Sequence, residues 1–336
     1  MTVEAAAGGY KAVSKIYNAL MTGLVLTLIS SKSADAARQF VFTHFRRQHL
    51  EKFRDGLTKL KLDGLPHAVA CAQYHYFSNA LGGVKTEYMP ESDRKAWVRY
   101  PPPRWIWQGA AICAVPREVN EAMLHGWHGH NGVTLGNPRL GFVCTGQTVN
   151  GDPGLEGYYF EYDRDIAPEE RVRFVSDEHA PRFDPARAPR LDSASWPAER
   201  LAKVERSYAM EYVRSLLPSM LDLFGAEEAG ALVGRTARLI GLQYYDEMSA
   251  LVGVGGNRAE DFAALLAALA AAQGEDVSCN GATVTQRGWR LMQGVPAGDV
   301  LFAAWNALWE GAAAVHNRDL KLAVERRADG IVWRIG

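Results

Sequence analysis

The chain lacks the signatures that place a sequence in several common protein classes. Its 336 residues hold four cysteines (Cys71, Cys113, Cys144 and Cys279) without a Cys-x-x-Cys pair, which excludes a disulfide framework and a zinc ribbon. A reducing, cytoplasmic setting fits this pattern. The net charge of −1 argues against a nucleic-acid or acidic-membrane partner, because either favours a basic surface. The sequence has no Walker loop and no Gly-x-Gly-x-x-Gly after a strand, so no nucleotide cofactor is expected.

The segment Ile16–Ser31 is uncharged, follows two lysines and precedes Ala34-Asp35-Ala36, as in a secretory signal with its cleavage site. The run is shorter than the roughly 20 residues that span a bilayer. The arm before it is long and carries Glu4. We therefore predict a buried N-terminal helix and no membrane partner, with secretion as the alternative.

The sequence contains what looks like an internal repeat. A helix (His67–Leu81), a strand region, a second helix and a hairpin fill residues 67–162, and the same order recurs over 259–335. Aligned by eye, Trp97 falls on Trp289 and Asn137 on Asn317. Helices segregated against antiparallel hairpins predict an α+β fold, here an internally duplicated pseudo-dimer of sheets covered by helices. Polar residues present in one copy alone then become the functional candidates.

The predicted domain organisation follows from the repeat. Residues 1–162 form the first repeat with its N-terminal helices, and this half is predicted to be the active one. Residues 163–200 hold five prolines and many charges, which is typical of a surface linker. Residues 201–336 form the second, degenerate repeat, in which Pro218 is expected to kink or interrupt a helix.

The first candidate site is the segment from Leu124 to Asn131, which contains His125, His128 and His130. If the helix continues, His125 and His128 lie on one face, where imidazoles can act as acid/base groups or bind one metal. The second copy has Trp305, Leu308 and Glu310 at these positions, so the scaffold does not demand histidine. The alternative is a helix C-terminus at which histidine favours the dipole.

The second candidate pairs Cys71 with His75, which are four residues apart on a helix and so share a face. A cysteine beside a histidine can be a thiolate nucleophile. The second copy has alanine at both positions. The alternative is a buried cysteine that acts as a small hydrophobic residue.

The remaining candidates are strand and loop residues. Glu91 is a candidate general base or metal partner. Arg99 and Arg104 could hold a substrate carboxylate. Tyr74 and Trp127 could line a pocket for a small organic ring, although ordinary core packing explains them equally well.

The sequence Ala304–Gly311 and the closing hairpin Leu320–Ile335 resemble the L-2-amino-thiazoline-4-carboxylic acid hydrolase family and the related 4-vinyl-reductase-like ligand-binding domains. The resemblance covers about the last 130 residues and is fainter in the first copy. It implies a hydrolase of small cyclic C–N or C–S compounds, or a small-molecule sensor domain. The cysteines expected near that helix and hairpin are absent here, so no catalytic residue is carried over.

Three functions stay open from the sequence. The first is a hydrolase or lyase acting on a small cyclic or carboxylate-bearing compound through His, Glu and Cys groups of the first repeat. The second is a non-catalytic small-molecule-binding protein that uses the same pocket. The third is an assembly partner with a large exposed apolar patch. The sequence leaves open whether a divalent metal is bound and whether the chain is a monomer or a homo-oligomer.

Overall fold

A computed structural model describes residues 3–102 and 111–336 and divides the chain into two compact units. The first unit is Leu28–Pro197, and the second is Ala198–Gly336 together with the segment up to Thr27. Each unit contains one largely antiparallel sheet and its own helices. The α+β prediction is therefore confirmed.

The first unit continues from helix α1 (Val3–Ser31), most of which belongs to the second unit. Its helices are α2 (Ala34–Lys59), α3 (His67–Leu81), α4 (Ala111–Ala114), α5 (Arg117–Gly126) and α6 (Asn131–Leu135), with a 3-10 turn at His128–His130. Its strands are β1 (Glu87–Ser92), β2 (Lys95–Tyr100), β3 (Leu140–Gly146), β4 (Leu155–Glu161) and β5 (Val172–Phe174).

The sheet of the first unit has the order β1-β2-β4-β3-β5, with β5 parallel to β3 and the other pairs antiparallel. Because side chains alternate along a strand, the sheet has two distinct faces. Phe142 and Tyr159 are on the inner face, which α3 and the 128–135 segment cover. Met89, Trp97 and Tyr158 are on the outer face.

The Pro- and charge-rich stretch is more than the predicted linker. Its residues 172–174 form β5, and Val175, Ala180 and Phe183 pack against the outer-face cluster of Met89, Trp97, Val143 and Tyr158. Apolar side chains spaced between the prolines cover this face and hold the stretch against the sheet. The stretch is therefore part of the first unit.

The second unit is built from α1 up to Thr27, α7, α8, α9 and four strands. The bounds are α7 (Ala198–Val252), α8 (Ala259–Ala272), β6 (Asp276–Asn280), β7 (Thr283–Arg287), α9 (Asp299–His316), β8 (Leu322–Arg327) and β9 (Gly330–Ile335). The sheet order is β6-β7-β9-β8, with all pairs antiparallel.

The N-terminal apolar segment packs as a core helix of the second unit. Ile16, Tyr17 and Leu20 are fully buried. Tyr17 Oη donates to Gln273 Oε1 at 2.6 Å and accepts from Trp305 Nε1 at 3.1 Å. Within the described chain, Ala7–Ser31 is long and apolar enough to cross a membrane, and 61% of its most apolar window is buried. Core helices and signal sequences share these properties, and the packing seen here is that of a core helix.

The two units share a connection order. In each, a helix leads to a hairpin, a second helical segment and a second hairpin, and the four common strands have the same spatial order. Asn137 Oδ1 accepts from Arg139 N at 3.1 Å, and Asn317 Oδ1 accepts from Asp319 N at 3.0 Å, so both asparagines turn the chain in the same way.

The predicted match of Trp97 with Trp289 is wrong. Trp97 lies inside β2, whereas Trp289 lies beyond the end of β7 and precedes a 3-10 turn. The hairpins begin with the pairs Glu87–Arg99 and Asp276–Arg287, so Trp97 corresponds in register to Thr285.

Several predicted boundaries differ from the structure. α2 continues through Gly56, where an added β-carbon would lie 2.5 Å from the ring of Tyr74. α7 contains Pro218 without a break there, and its non-helical residue is Gly225 with φ of 73°. Positive φ is readily adopted by glycine, so the chain changes direction at Gly225.

Candidate functional site: a buried histidine cluster in the first unit

Polar side chains of four elements meet beneath the inner face of the first sheet. We call this group the histidine cluster, and its members are His49, His75, Trp127, His128, Asn131 and Tyr159. α3 contributes His75, which shares a helical face with Cys71 because the two are four residues apart. Cys71 and His75 both lie on the buried face of α3, as predicted, and Tyr74 is beside them.

Stacked rings form the centre of the cluster. The ring centroids of His75 and His128 are 4.2 Å apart with planes at 11°, and Tyr159 stacks at 5.9 Å from His75 and 5.7 Å from His128. Asn131 Nδ2 donates to Tyr159 Oη at 2.8 Å. The Tyr159 hydroxyl is 2.7 Å from His128 Nδ1 and can donate its proton there. The network fixes the orientation of three side chains.

Trp127 lies at the edge of this stack. Its indole ring is 5.6 Å from the ring of His49, 6.0 Å from that of His75 and 6.2 Å from that of Tyr74. Tyr74 in turn packs edge-on against Phe53 at 5.0 Å. The cluster therefore combines aromatic walls with polar ring edges, as the sequence predicted for Tyr74 and Trp127.

Burial keeps the imidazoles neutral. It lowers the pKa of His75 to about 3, and burial assisted by the charge of Arg46 lowers the pKa of His49 to about 3. A desolvated cation is costly, so both rings stay uncharged at neutral pH. Arg46 Nη1 is 2.8 Å from His49 Nδ1, and since a guanidinium can only donate, the proton of His49 is on Nε2.

The Cys71 thiol is protonated, whereas a cysteine nucleophile has to be a thiolate. Complete burial raises its pKa well above the usual value, against a smaller opposing effect of the Asn131 side chain. A thiolate at neutral pH needs an exposed or electropositive setting. The packing of Cys71 therefore fits the alternative prediction of a small hydrophobic residue.

Several buried polar atoms of the cluster have no hydrogen-bond partner among the described residues. They include His75 Nε2 and Trp127 Nε1. Such an atom costs about 1–3 kcal/mol when it is left unsatisfied. In the described second unit, Trp289 Nε1 and Trp309 Nε1 are atoms of the same kind, on two rings that both pack against Trp305.

Two predicted site residues lie on the opposite face of the sheet. Glu91 accepts from Trp97 Nε1 at 2.7 Å, and Arg99 pairs with Glu87 at 2.6 Å. Trp97 and Arg99 are two residues apart on β2, so both point to the outer face. The sheet separates them from His75, and one site cannot contain both groups. Arg104 lies outside the described residues.

The three histidines at the end of α5 and after it diverge. α5 ends at Gly126 and a 3-10 turn follows, so His125 and His128 do not share the helical face that was predicted. His128 points inward, His125 lies 5.9 Å from the Phe174 ring, and His130 Nδ1 is 2.9 Å from the carbonyl oxygen of His125. Across residues 3–102 and 111–336, no group of three or more His, Cys, Asp or Glu side chains is arranged to hold a metal. The predicted metal candidates therefore gain no support.

A groove of about 260 Å³ lies at the end of β3, and sequence analysis did not predict it. Buried Gln147 organises its wall: the backbone N donates to Asp152 Oδ2 at 2.7 Å and Nε2 donates to Glu121 Oε1 at 3.3 Å. Cys144 also lines it, and burial together with nearby carboxylates raises the pKa of its thiol to about 12. Only a fold that joins α5 to the β3–β4 connection brings these residues together.

The second unit fills the comparable space with apolar rings. Trp305, Trp309 and Trp333 are fully buried there, and Trp333 Nε1 donates to Asn306 Oδ1 at 2.8 Å. Tyr158 pairs with Trp97, and Val332 pairs with Thr285. When Thr285 is placed on Trp97, Trp333 therefore takes the position of Tyr159.

His49, Asn131 and Tyr159 were missed by the sequence analysis. A signal for His49 was present, because Phe45, His49 and Phe53 follow at four-residue spacing and so mark one buried helical face. Tyr159 reads as an ordinary strand residue, and only the facing helices give its hydroxyl a function.

No family model, curated protein or solved structure matches this chain.

Proposed function

We propose that the chain is a small-molecule-binding protein whose first unit holds a ring compound at the histidine cluster. The observation that carries this proposal is the convergence of unpartnered buried atoms, including His75 Nε2 and Trp127 Nε1, between aromatic rings. Binding sites for small molecules combine apolar walls with a few convergent polar groups. A bound ligand offsets the cost of leaving those polar atoms unsatisfied.

Duplication strengthens the proposal. We infer that the two units descend from one helix–hairpin–helix–hairpin ancestor, which their common strand order and the matched turns at Asn137 and Asn317 support. The second unit keeps the scaffold with tryptophans in its interior. Polar groups retained in one unit at a cost in stability are then attributed to ligand recognition. The four free cysteines fit a cytoplasmic location, which we also propose.

A thermal-shift screen tests the binding function. A panel of uncharged, cationic and anionic ring compounds is added to the wild type and to His75→Phe, which keeps a planar ring and removes the imidazole nitrogens. A ligand at 100 times its Kd stabilises the folded state by about 2.7 kcal/mol, a shift easily measured. We expect stabilisation of the wild type and a loss of it in the variant. If no compound of the panel stabilises the wild type, the proposal is refuted.

Hydrolysis of a small cyclic compound is the second candidate, and one observation favours it. The ring of His125 lies 5.9 Å from that of Phe174, which lines the groove, and burial lowers the pKa of His125 against an opposing effect of Glu121. A neutral imidazole next to a carboxylate can accept a proton from water. Mass spectrometry of the same panel after incubation tests this. Products that form with the wild type and are lost in His125→Gln, but persist in His75→Phe, would place hydrolysis at the groove.

A further inference from the structure

The groove at the end of β3 is a second concave site in the first unit, and hydrogen bonds fix its wall. Its lining comes from α5, the end of β3, the turn before β4 and the end of β5, and it shares no residue with the histidine cluster. Gln147 is buried and bonded at both ends of its amide: Oε1 accepts from Asn120 Nδ2 at 2.5 Å, and Nε2 donates to Glu121. Its backbone N donates to Asp152 Oδ2 at 2.7 Å. The groove is therefore preformed, as most small-molecule sites are.

One carboxylate of the groove has no cationic partner. Glu121 is paired with Arg117, whose Nε lies 3.2 Å from Glu121 Oε1. Glu156, next to the groove, has Arg99 Nη1 at 3.9 Å. Asp152 lines the groove and forms no salt bridge with the part of the chain that the structure describes. A carboxylate held in this way can bind the cationic end of a ligand through charge-assisted hydrogen bonds.

The buried floor of the groove favours positive charge. Cys144 forms part of this floor, and burial is the main cause that raises the pKa of its thiol to about 12. The charges of three carboxylates also raise it, and these are Glu121, Asp152 and Glu156. Because all three act on one sulfur atom, their fields add inside the groove. They attract a cation that enters it and repel an anion.

The other side of the groove is apolar. Phe174 and Val175 line it, and Phe174 is 40% exposed. An aromatic face near a carboxylate suits a ligand that has an apolar body and a charged end. The volume of about 260 Å³ limits this ligand to a small molecule, because pockets for drug-sized compounds begin at about 300 Å³.

We propose that the groove binds a small primary amine in its protonated form, with the ammonium group at Asp152 and an apolar or aromatic body against Phe174. A primary ammonium has three N–H donors, and a carboxylate only accepts, so the two groups are complementary. This site lies outside the histidine cluster, and the inference stands whether or not the cluster binds a ligand. It also does not require that the groove hydrolyse the amine.

Three probes of similar shape and different charge test the inference on the wild-type protein: benzylamine, benzyl alcohol and benzoate. Binding is followed by NMR titration at neutral pH and low salt. The backbone amide of Gln147 reports on the groove, because it donates to Asp152. We expect benzylamine to bind at least threefold more tightly than benzyl alcohol, and benzoate to bind most weakly. Added salt should reduce the difference, because it screens exposed ion pairs.

A matched pair of variants places the ammonium group. Asp152→Asn removes the charge and keeps an oxygen that can accept from the amide of Gln147. Asp184→Asn is the control, because Asp184 is also exposed, accepts from the backbone N of Ala186 at 2.9 Å and lies outside the groove. We expect the affinity for benzylamine to fall to that for benzyl alcohol in the first variant and to stay unchanged in the second.

The outcomes separate this inference from binding at the histidine cluster. Benzylamine that binds His75→Phe as it binds the wild type, and binds Asp152→Asn more weakly, supports the groove. Binding that persists in Asp152→Asn and is lost in His75→Phe would place the amine at the histidine cluster and refute the inference. Equal affinities for benzylamine and benzyl alcohol, equal losses in the two aspartate variants, or failure of benzylamine to bind would refute it as well.

Discussion

Acid should destabilise the first unit through its buried histidines. The pKa of His75 is about 3 in the folded protein and 6.5 for the free side chain, because burial penalises the imidazolium. Between these values the unfolded chain binds one more proton than the folded chain. Stability is therefore unaffected above pH 6.5 and falls as the pH drops toward 3.

The magnitude follows from the difference of the two pKa values. One pKa unit corresponds to about 1.4 kcal/mol, so His75 alone should cost about 2 kcal/mol at pH 5 and about 4–5 kcal/mol near pH 3. His44 and His49 have pKa values lowered to about 3 by the same cause and should add to the slope. Domains of this size are stable by about 5–15 kcal/mol, so we expect the first unit to open between about pH 4 and 5.

Hydrogen exchange of α3 peptides, corrected for the intrinsic rate and measured from pH 7 to 5, reports this stability for the first unit. In His75→Leu the slope should fall by about 1.4 kcal/mol per pH unit below pH 6. His179→Leu is the control for loss of an imidazole, because the His179 side chain is 79% exposed and lies outside the buried cluster. If the wild type and His75→Leu have the same slope, His75 is not buried as a neutral ring and the reasoning fails.

Two further predictions concern packing. Gly126→Ala should destabilise the first unit by about 1–3 kcal/mol in urea denaturation, because the added methyl would lie 2.7 Å from the carbonyl oxygen of Phe42. Gly64→Ala is the control and should not destabilise it, because its added methyl would meet nothing within 4 Å. Equal stabilities of the two variants would mean that α2 and α5 can separate at no cost. At pH 7 exposed Cys279 should react with a thiol reagent within minutes, while buried Cys71 should react only after unfolding. Rapid labelling of Cys71 in the native protein would contradict its burial.

Local signals predicted most of the secondary structure. The helix His67–Leu81 has the predicted bounds, because proline precedes it and Gly82-Gly83 follows. The hairpin that closes residues 67–162 was also predicted, and β3 and β4 form it. Such features depend on residues a few positions apart. Pro218 was expected to kink or interrupt its helix, yet α7 runs through it, and the chain leaves helical geometry at Gly225 instead.

The candidate site was predicted only in part. Cys71, Tyr74, His75, Trp127 and His128 do come together, since helical spacing and a short turn are properties of the sequence. We had grouped them with Glu91 and Arg99 in one site. The strand pairing in the structure places these two residues on the outer face of the sheet, opposite the histidine cluster. A one-residue change of position along a strand reverses its face, so faces could not be assigned before the register was known.

The amino-acid sequence by itself determined the α+β composition, the order of helices and hairpins, and the apolar segments that form the two cores. Those properties arise from periodicity, caps and turn residues, which act over short distances. The tertiary structure alone decided which polar groups meet beneath the first sheet, which of them lose their water, and which remain without a partner. Burial and distance between elements are set by the packed fold, and they control the pKa values and hydrogen bonds on which function depends.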